Sequence, residues 1–392
     1  MKVLSCLAAG FALVFSAMAQ EAVQETEAAK YDRLDSRLLA LASQDDVVGL
    51  AVAVIEDGEI RFARGYGQTR LGGDAVTAET VFRWASLSKG VASTAVARLA
   101  ADGVFDLNDT VSSFGSSLRL PGGGEARATL DHILSHRIGI VPNAYDTRLE
   151  DNRDPADIRR DLGKLKAVCA VGECHTYQNV AFDAVSEVVE AAAGSPFAGV
   201  VEARLFKPLG MATASFGRSA LEASASWAEP HVRRRRDAAP RVRTVKEAYY
   251  RVPAAGGANG SILDLARFAQ AQMGLAQDVL PDEVLDTLHA PRIYTSREQS
   301  GMSRRYGGHL KDARYALGWR TYKYADTGYR VVGHRGAVEG YRSLILFDPD
   351  RDAGVVALWN SNARTPVKVQ FEVMDMLYGL PDRNWLDLDA GH

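Results

Sequence analysis

Strand-forming runs sit at both ends of this chain with helix-forming runs between them, and this division restricts the fold more than any other feature. Residues 50–55 and 60–66 are β-rich and flank the turn Glu56-Asp57-Gly58-Glu59, which predicts a hairpin over residues 49–67. A short apolar strand is expected at 81–84. Strands return at 330–332, 342–347 and 355–359, the last two joined by the turn Asp348-Pro349-Asp350. Between these ends, apolar periodicity predicts helices over 86–101, 129–136, 155–165, 180–193, 197–206 and 264–273. An amphipathic helix is expected at about 26–43 and a final helix at about 367–378. The polar stretches 219–246 and 296–314 read as loops. The expected class is α+β, an α/β sandwich whose antiparallel sheet is built from both chain ends, with an inserted all-helical subdomain. Its body is expected at about 20–85 and 300–392 and its mainly helical part at about 86–299.

The first residues read as a targeting signal rather than as part of that fold. Lys2 precedes an apolar run from Val3 to about Ser16, and Ala17-Met18-Ala19 forms a small-x-small cleavage site before Gln20. A retained N-terminal anchor is the competing reading. Residues 1–19 are thus expected to be a signal peptide and residues 20–392 the mature chain, located in the periplasm or secreted. No later stretch reaches the ~20 apolar residues of a membrane span. The net charge of −3 excludes a global electrostatic pull towards nucleic acid or an anionic membrane. Cys169 and Cys174 follow the leader's Cys6, and in an oxidising compartment they are candidates for a local disulfide, with two separate thiols as the alternative. The spacing is a poor zinc signature, and no cofactor is implied.

Three short motifs can carry chemistry. In Ser86-Leu87-Ser88-Lys89 the first and last residues share a helix face. The serine stands at the helix start, where the positive end of the dipole favours an alkoxide. A serine hydroxyl needs a base, and a lysine in an apolar setting can serve, because desolvation disfavours its ammonium form. Tyr177-Gln178-Asn179 ends a loop and opens an apolar helix, with Asn179 positioned to cap it and Tyr177 able to act as an acid/base; a packed tyrosine on a capped helix is the plainer reading. In Gly333-His334-Arg335-Gly336-Ala337 the glycines let a substrate backbone approach a strand edge, and a backbone N–H there could complete an oxyanion hole with that of Ser86; the plainer reading is a turn or bulge.

With these motifs in this order, the chain resembles the serine β-lactamase and penicillin-binding-protein superfamily, in its class C-like branch. The motifs match Ser-x-x-Lys, Tyr-x-Asn and His-x-Gly at Ser86–Lys89, Tyr177–Asn179 and His334–Gly336. Family-like phrases surround them at 82–85, 130–139, 206–211 and 315–319. The resemblance implies a β-lactamase/transpeptidase-like fold and an acyl-enzyme on Ser86. Proton transfer would then fall to Lys89 and Tyr177. Asn179 would orient Lys89 and substrate, and the N–H groups of Ser86 and Ala337 would hold the oxyanion. His334 stands where most relatives carry Lys. With an ordinary pKa of ~6.5 it is mostly neutral at pH 7, so an arginine, Arg335 or another, would have to supply the missing charge. The implied partner is a small-molecule or peptide substrate: a β-lactam, a D-amino-acid peptide or an ester. A penicillin-binding sensor that acylates without turnover is the alternative. No signature fixes an oligomeric state. His132 and His136 have zinc-protease spacing, but Ile133 replaces the required Glu. The run Arg233–Arg236 reads as a solvated loop face or the border of a substrate groove.

Overall fold

The computed structural model describes residues 28–235 and 237–388, so the leader and its cleavage site lie outside the described residues. Eight strands form one antiparallel sheet in the order Glu59–Gly67, Gly49–Glu56, Ala353–Trp359, Tyr341–Asp348, Arg330–Val338, Arg320–Tyr324, Leu310–Tyr315 and Ile293–Tyr294. The hairpin turns where expected, with Asp57 and Gly58 both in the left-handed region, at φ 51° and 76°, as a twist-matched two-residue turn requires. Its first strand then pairs with the chain's last, Leu50 opposite Trp359 and Val54 opposite Val355.

Gly49–Glu56 is apolar at nearly every position because both its faces are covered. Ala51, Ala53 and Ile55 enter one core, shared with Val91 and Ala95 of the helix Ser88–Ala101 and Leu265 and Phe268 of Ile262–Gln272. Leu50, Val52 and Val54 enter a second core with Leu34 and Leu38 of a helix over 28–42 and Phe371 and Met374 of Val369–Leu377. The sheet is therefore sandwiched between the two terminal helices and the helical middle of the chain, an α+β fold.

The stretch 296–314 is not a loop. Ser296–Tyr306 is a helix, and Leu310–Tyr315 is a strand. Met302 is the helix's one buried apolar residue, so periodicity gives no signal. What stabilises it is charge: Glu298 in the first turn, Arg304 and Arg305 in the last, and Gly307 in the left-handed region after it. The stretch 219–246 likewise contains the end of a short helix, Arg218–Glu222, and the paired strands His231–Val232 and Arg241–Val242. Arg330–Val338 continues past 332, so His334 to Ala337 lie in a regular strand rather than in a turn or bulge. Among the described residues, no single helix is long and apolar enough to cross a membrane.

A disulfide joins Cys169 to Cys174, with the Cα atoms 6.2 Å apart. The loop it closes leans on residues 137–139, through Val168 N–H to Gly139 O at 2.8 Å and Gly172 N–H to Arg137 O at 2.7 Å, and leads directly into Tyr177. So short a loop is worth ~2 kcal/mol in the chain-entropy picture. Dithiothreitol is expected to lower the melting temperature by a few degrees; an unchanged melting curve with both thiols titratable would refute the contribution.

Candidate active site

The site begins with the backbone before the serine. Ala85 adopts φ 51°, unusual for a residue with a Cβ. Neighbouring elements enforce it. The Ser88 hydroxyl donates to Ala85 O at 2.7 Å and accepts from Ala258 N–H at 2.9 Å. Ser343, in the sheet, donates to Trp84 O at 2.6 Å, and the Trp84 indole donates to Gly260 O at 3.0 Å. Ser86 therefore lies half-buried in the single turn Ala85–Leu87 that leads into the helix Ser88–Ala101. Strand Arg330–Val338 comes directly against this turn. A Cβ at Gly336 would collide with Ser343 Oγ and Trp84 O, and would lie 3.1 Å from Ala85 Cβ. Gly336 and the exposed Ala337 are thus brought beside the serine turn by an approach that only glycine permits.

Lys89 is fully buried one turn on. Its Nζ donates to Asn179 Oδ1 at 2.7 Å and to Ala255 O at 3.0 Å, and lies 4.8 Å from the centre of the Tyr177 ring. Asn179 is not a helix cap, since the helix Ala184–Ala193 begins later, after Asp183. Its amide is committed instead. Oδ1 receives Lys89, and Nδ2 donates to Asp146 Oδ2 at 2.6 Å. Burial pushes the Asp146 carboxyl up, against the opposing pull of the Asn179 hydrogen bond and of Lys89. Gln178 ties the triplet down, accepting from Ala144 N–H at 3.2 Å and donating to Val141 O at 2.8 Å. Its N–H donates to His136 Nδ1 at 3.2 Å, while His132 Nδ1 lies 3.1 Å from the Thr129 hydroxyl, so the two histidines have separate local duties. His175 packs 5.0 Å from Tyr315, ring centre to ring centre, and burial, reinforced by Arg320, pushes its pKa down to about 4.

The third motif stands across the site. The His334 ring lies 6.2 Å from that of Tyr177, inclined by 27°. Arg320 Nη1, which can only donate, approaches His334 Nε2 at 2.8 Å, so Nε2 accepts and the proton resides on Nδ1, 3.0 Å from Arg335 O. Burial first, and then Arg320, hold this imidazole well below its usual range, so the ring is neutral. Arg320 lies on the neighbouring strand, paired with Gly333, and its guanidinium stands 5.5 Å from the Tyr177 ring centre. Arg335 turns towards Glu298 and Met302. Burial disfavours the Glu298 carboxylate, but Arg320 and Arg335 outweigh it and hold its pKa down at about 2. The tyrosine ring is thus flanked by the Lys89 amine nitrogen and the Arg320 guanidinium.

Sequence reasoning missed Asp146 and did not single out Arg320. Asp146 gives no local signal, its partner Asn179 lying 33 residues away. Arg320 had a weak one, as a cation directly after the 315–319 phrase and one strand before His334.

A protein-family model described as Beta-lactamase matches residues 20–374. Esterase EstB of Burkholderia gladioli is 31% identical over 200 residues, which is 47% of this chain and 51% of EstB. The D-alanyl-D-alanine-carboxypeptidase/endopeptidase AmpH of Escherichia coli (strain K12) is 31% identical over 171 residues, which is 42% of this chain and 44% of AmpH. The chain thus aligns with about half the length of these curated relatives. The octameric penicillin-binding protein homologue from Pyrococcus abyssi superposes with a TM-score of 0.79 at 23% identity, over 89% of this chain and 78% of that one, a likeness of fold. With the family model covering nearly all of the described residues, the chain belongs to the Beta-lactamase family of serine hydrolases.

Proposed function

We propose that this protein is an exported hydrolase that forms an acyl-enzyme on Ser86 and cleaves a small amide or ester carrying a carboxylate near the scissile bond. Export rests on the leader at residues 1–19 and the Cys169–Cys174 disulfide. The observation that carries the chemistry is the single cluster of Ser86, Lys89, Tyr177 and Asn179 about a turn against which Gly336 closes.

Ser86 Oγ attacks the carbonyl carbon while its proton passes to the Lys89–Tyr177 pair. Collapse of the tetrahedral adduct breaks the bond to the leaving nitrogen or oxygen, which takes that proton. Water repeats the sequence and releases the acid and the free serine. The N–H groups of Ser86 and Ala337 hold the oxyanion. Asn179 holds Lys89 in line, and Asp146 fixes which end of the Asn179 amide faces the lysine. His334 brings no charge; the cation for a substrate carboxylate is Arg320, whose side chain is 15% exposed.

Intact-mass spectrometry with a penicillin, beside assays on matched esters with and without a carboxylate, tests this reading. A transient adduct and faster turnover of the anionic ester are expected. Arg320→Gln should raise KM for the anionic ester about tenfold or more, as loss of a charge-assisted pair predicts, and cost the neutral ester much less. Equal losses on both esters would refute the carboxylate site. A penicillin adduct that never turns over, with no ester cleavage, would indicate a sensor instead.

A further inference from the structure

Between His231 and Arg243 the chain sets six arginines against one acid, Asp237, although its overall charge is −3. The segment is a built feature. Strands His231–Val232 and Arg241–Val242 pair as a hairpin. Its base is rooted on the exit of the sheet strand Ala353–Trp359: His231 N–H donates to Asn360 O at 2.9 Å, Arg233 N–H donates to Asn362 Oδ1 at 2.8 Å, and Asn362 Nδ2 donates back to Arg233 O at 3.0 Å. The hairpin borders a cleft of about 440 Å³ whose charged lining is Arg234, Arg235, Arg241 and Arg243 with the single acid Asp237. Arg235 is paired with Asp237 at 2.6 Å, and Arg243 lies 3.4 Å from Glu339. Arg234 and Arg241 are exposed and make no ion pair among the described residues.

Charge of this kind suits any polyanion, but the surroundings are not purely polar. Val242 is 51% exposed and Leu71 is 53% exposed. Both stand next to His231: Val242 is its cross-strand partner, and Leu71 N–H donates to His231 Nε2 at 3.3 Å. Arginines beside protruding aliphatic side chains match a surface that is anionic at its headgroups and oily just beneath. We propose that this hairpin docks the protein on a membrane surface rich in phosphate-bearing lipids, with headgroup phosphates in the arginine-lined cleft and Leu71 and Val242 among the acyl chains. The base of the hairpin also touches the active-site strand's exit. A Cβ at Gly340, in the turn after Val338, would fall 2.5 Å from Pro230 Cβ, and Glu339 is shared by Arg243 and Lys246. The hairpin is thereby joined to the end of the strand that carries His334 and Ala337.

Sedimentation with vesicles tests this, using the purified exported protein and variants with the same N-terminus, so that residues 1–27 cancel. Binding is expected to vesicles of equal phosphatidylglycerol and phosphatidylcholine at about 50 mM salt, and not to phosphatidylcholine alone. The triple change Arg234→Gln, Arg235→Gln and Arg241→Gln should weaken it about 10²-fold, at about 1 kcal/mol per arginine near an anionic surface. Leu71→Ser with Val242→Ser should weaken it several-fold while leaving retention on heparin unchanged. Both variants should hydrolyse a soluble ester at the wild-type rate, which shows that they are folded. Equal binding to the neutral vesicles, or an arginine variant that binds as tightly as wild type, overturns the proposal. Phosphatidylglycerol binding indifferent to Leu71 and Val242 overturns the lipid assignment in favour of a soluble polyanion.

Discussion

Ser86→Ala is expected to abolish covalent labelling and to lower kcat by about 10⁴-fold or more, the order seen when an acyl-transfer nucleophile is removed. The fold should be untouched. The Ser86 side chain is half-buried and contributes nothing to the network that shapes its own turn. That network runs through Ser88, Ser343 and Trp84. Intact-mass spectrometry with a penicillin and a melting curve on the same sample separate the two effects. A persisting adduct would move the nucleophile to another residue, and a much lower melting temperature would mean that the hydroxyl is structural.

Gly336→Ala should cost nearly as much by a different route. The added methyl meets Ser343 Oγ and Trp84 O, and the latter is backbone that cannot swing aside. Either strand Arg330–Val338 retreats or the Ala85 turn opens; each separates the N–H of Ala337 from that of Ser86. Losing one oxyanion donor costs about 10²–10³ in kcat, and overpacking costs about 1–3 kcal/mol of stability. Steady-state kinetics with thermal melts read both. Wild-type turnover would show that the strand does not need this approach.

What the sequence reveals of this architecture follows the range of the forces involved. The Asp57-Gly58 hairpin and the Ser88–Ala101 helix are encoded in neighbouring residues and read off directly. The helix Ser296–Tyr306 is hidden because it is stabilised by Glu298 reaching Arg335, 37 residues on, rather than by an apolar face. Likewise Ser86, Lys89, Tyr177 and Asn179 are legible as short spaced motifs, but Asn179 reads as a cap until Lys89 and Asp146 are seen to occupy its amide. The neutral state of His334 follows from its residue type, whereas the identity of its cation, Arg320 rather than Arg335, depends on strand pairing.

The pairing of Leu50 with Trp359 has a kinetic consequence. The central strands of the sheet meet across roughly 300 residues of intervening chain, so loop closure must come before most of the sheet's reward and folding is slow. Until the segment 353–359 is available, Gly49–Glu56 has no partner on one edge and both its apolar faces are bare. The sheet of such a chain cannot close until almost all of the chain has been made. This leaves the first hairpin as the segment most exposed to aggregation on the way.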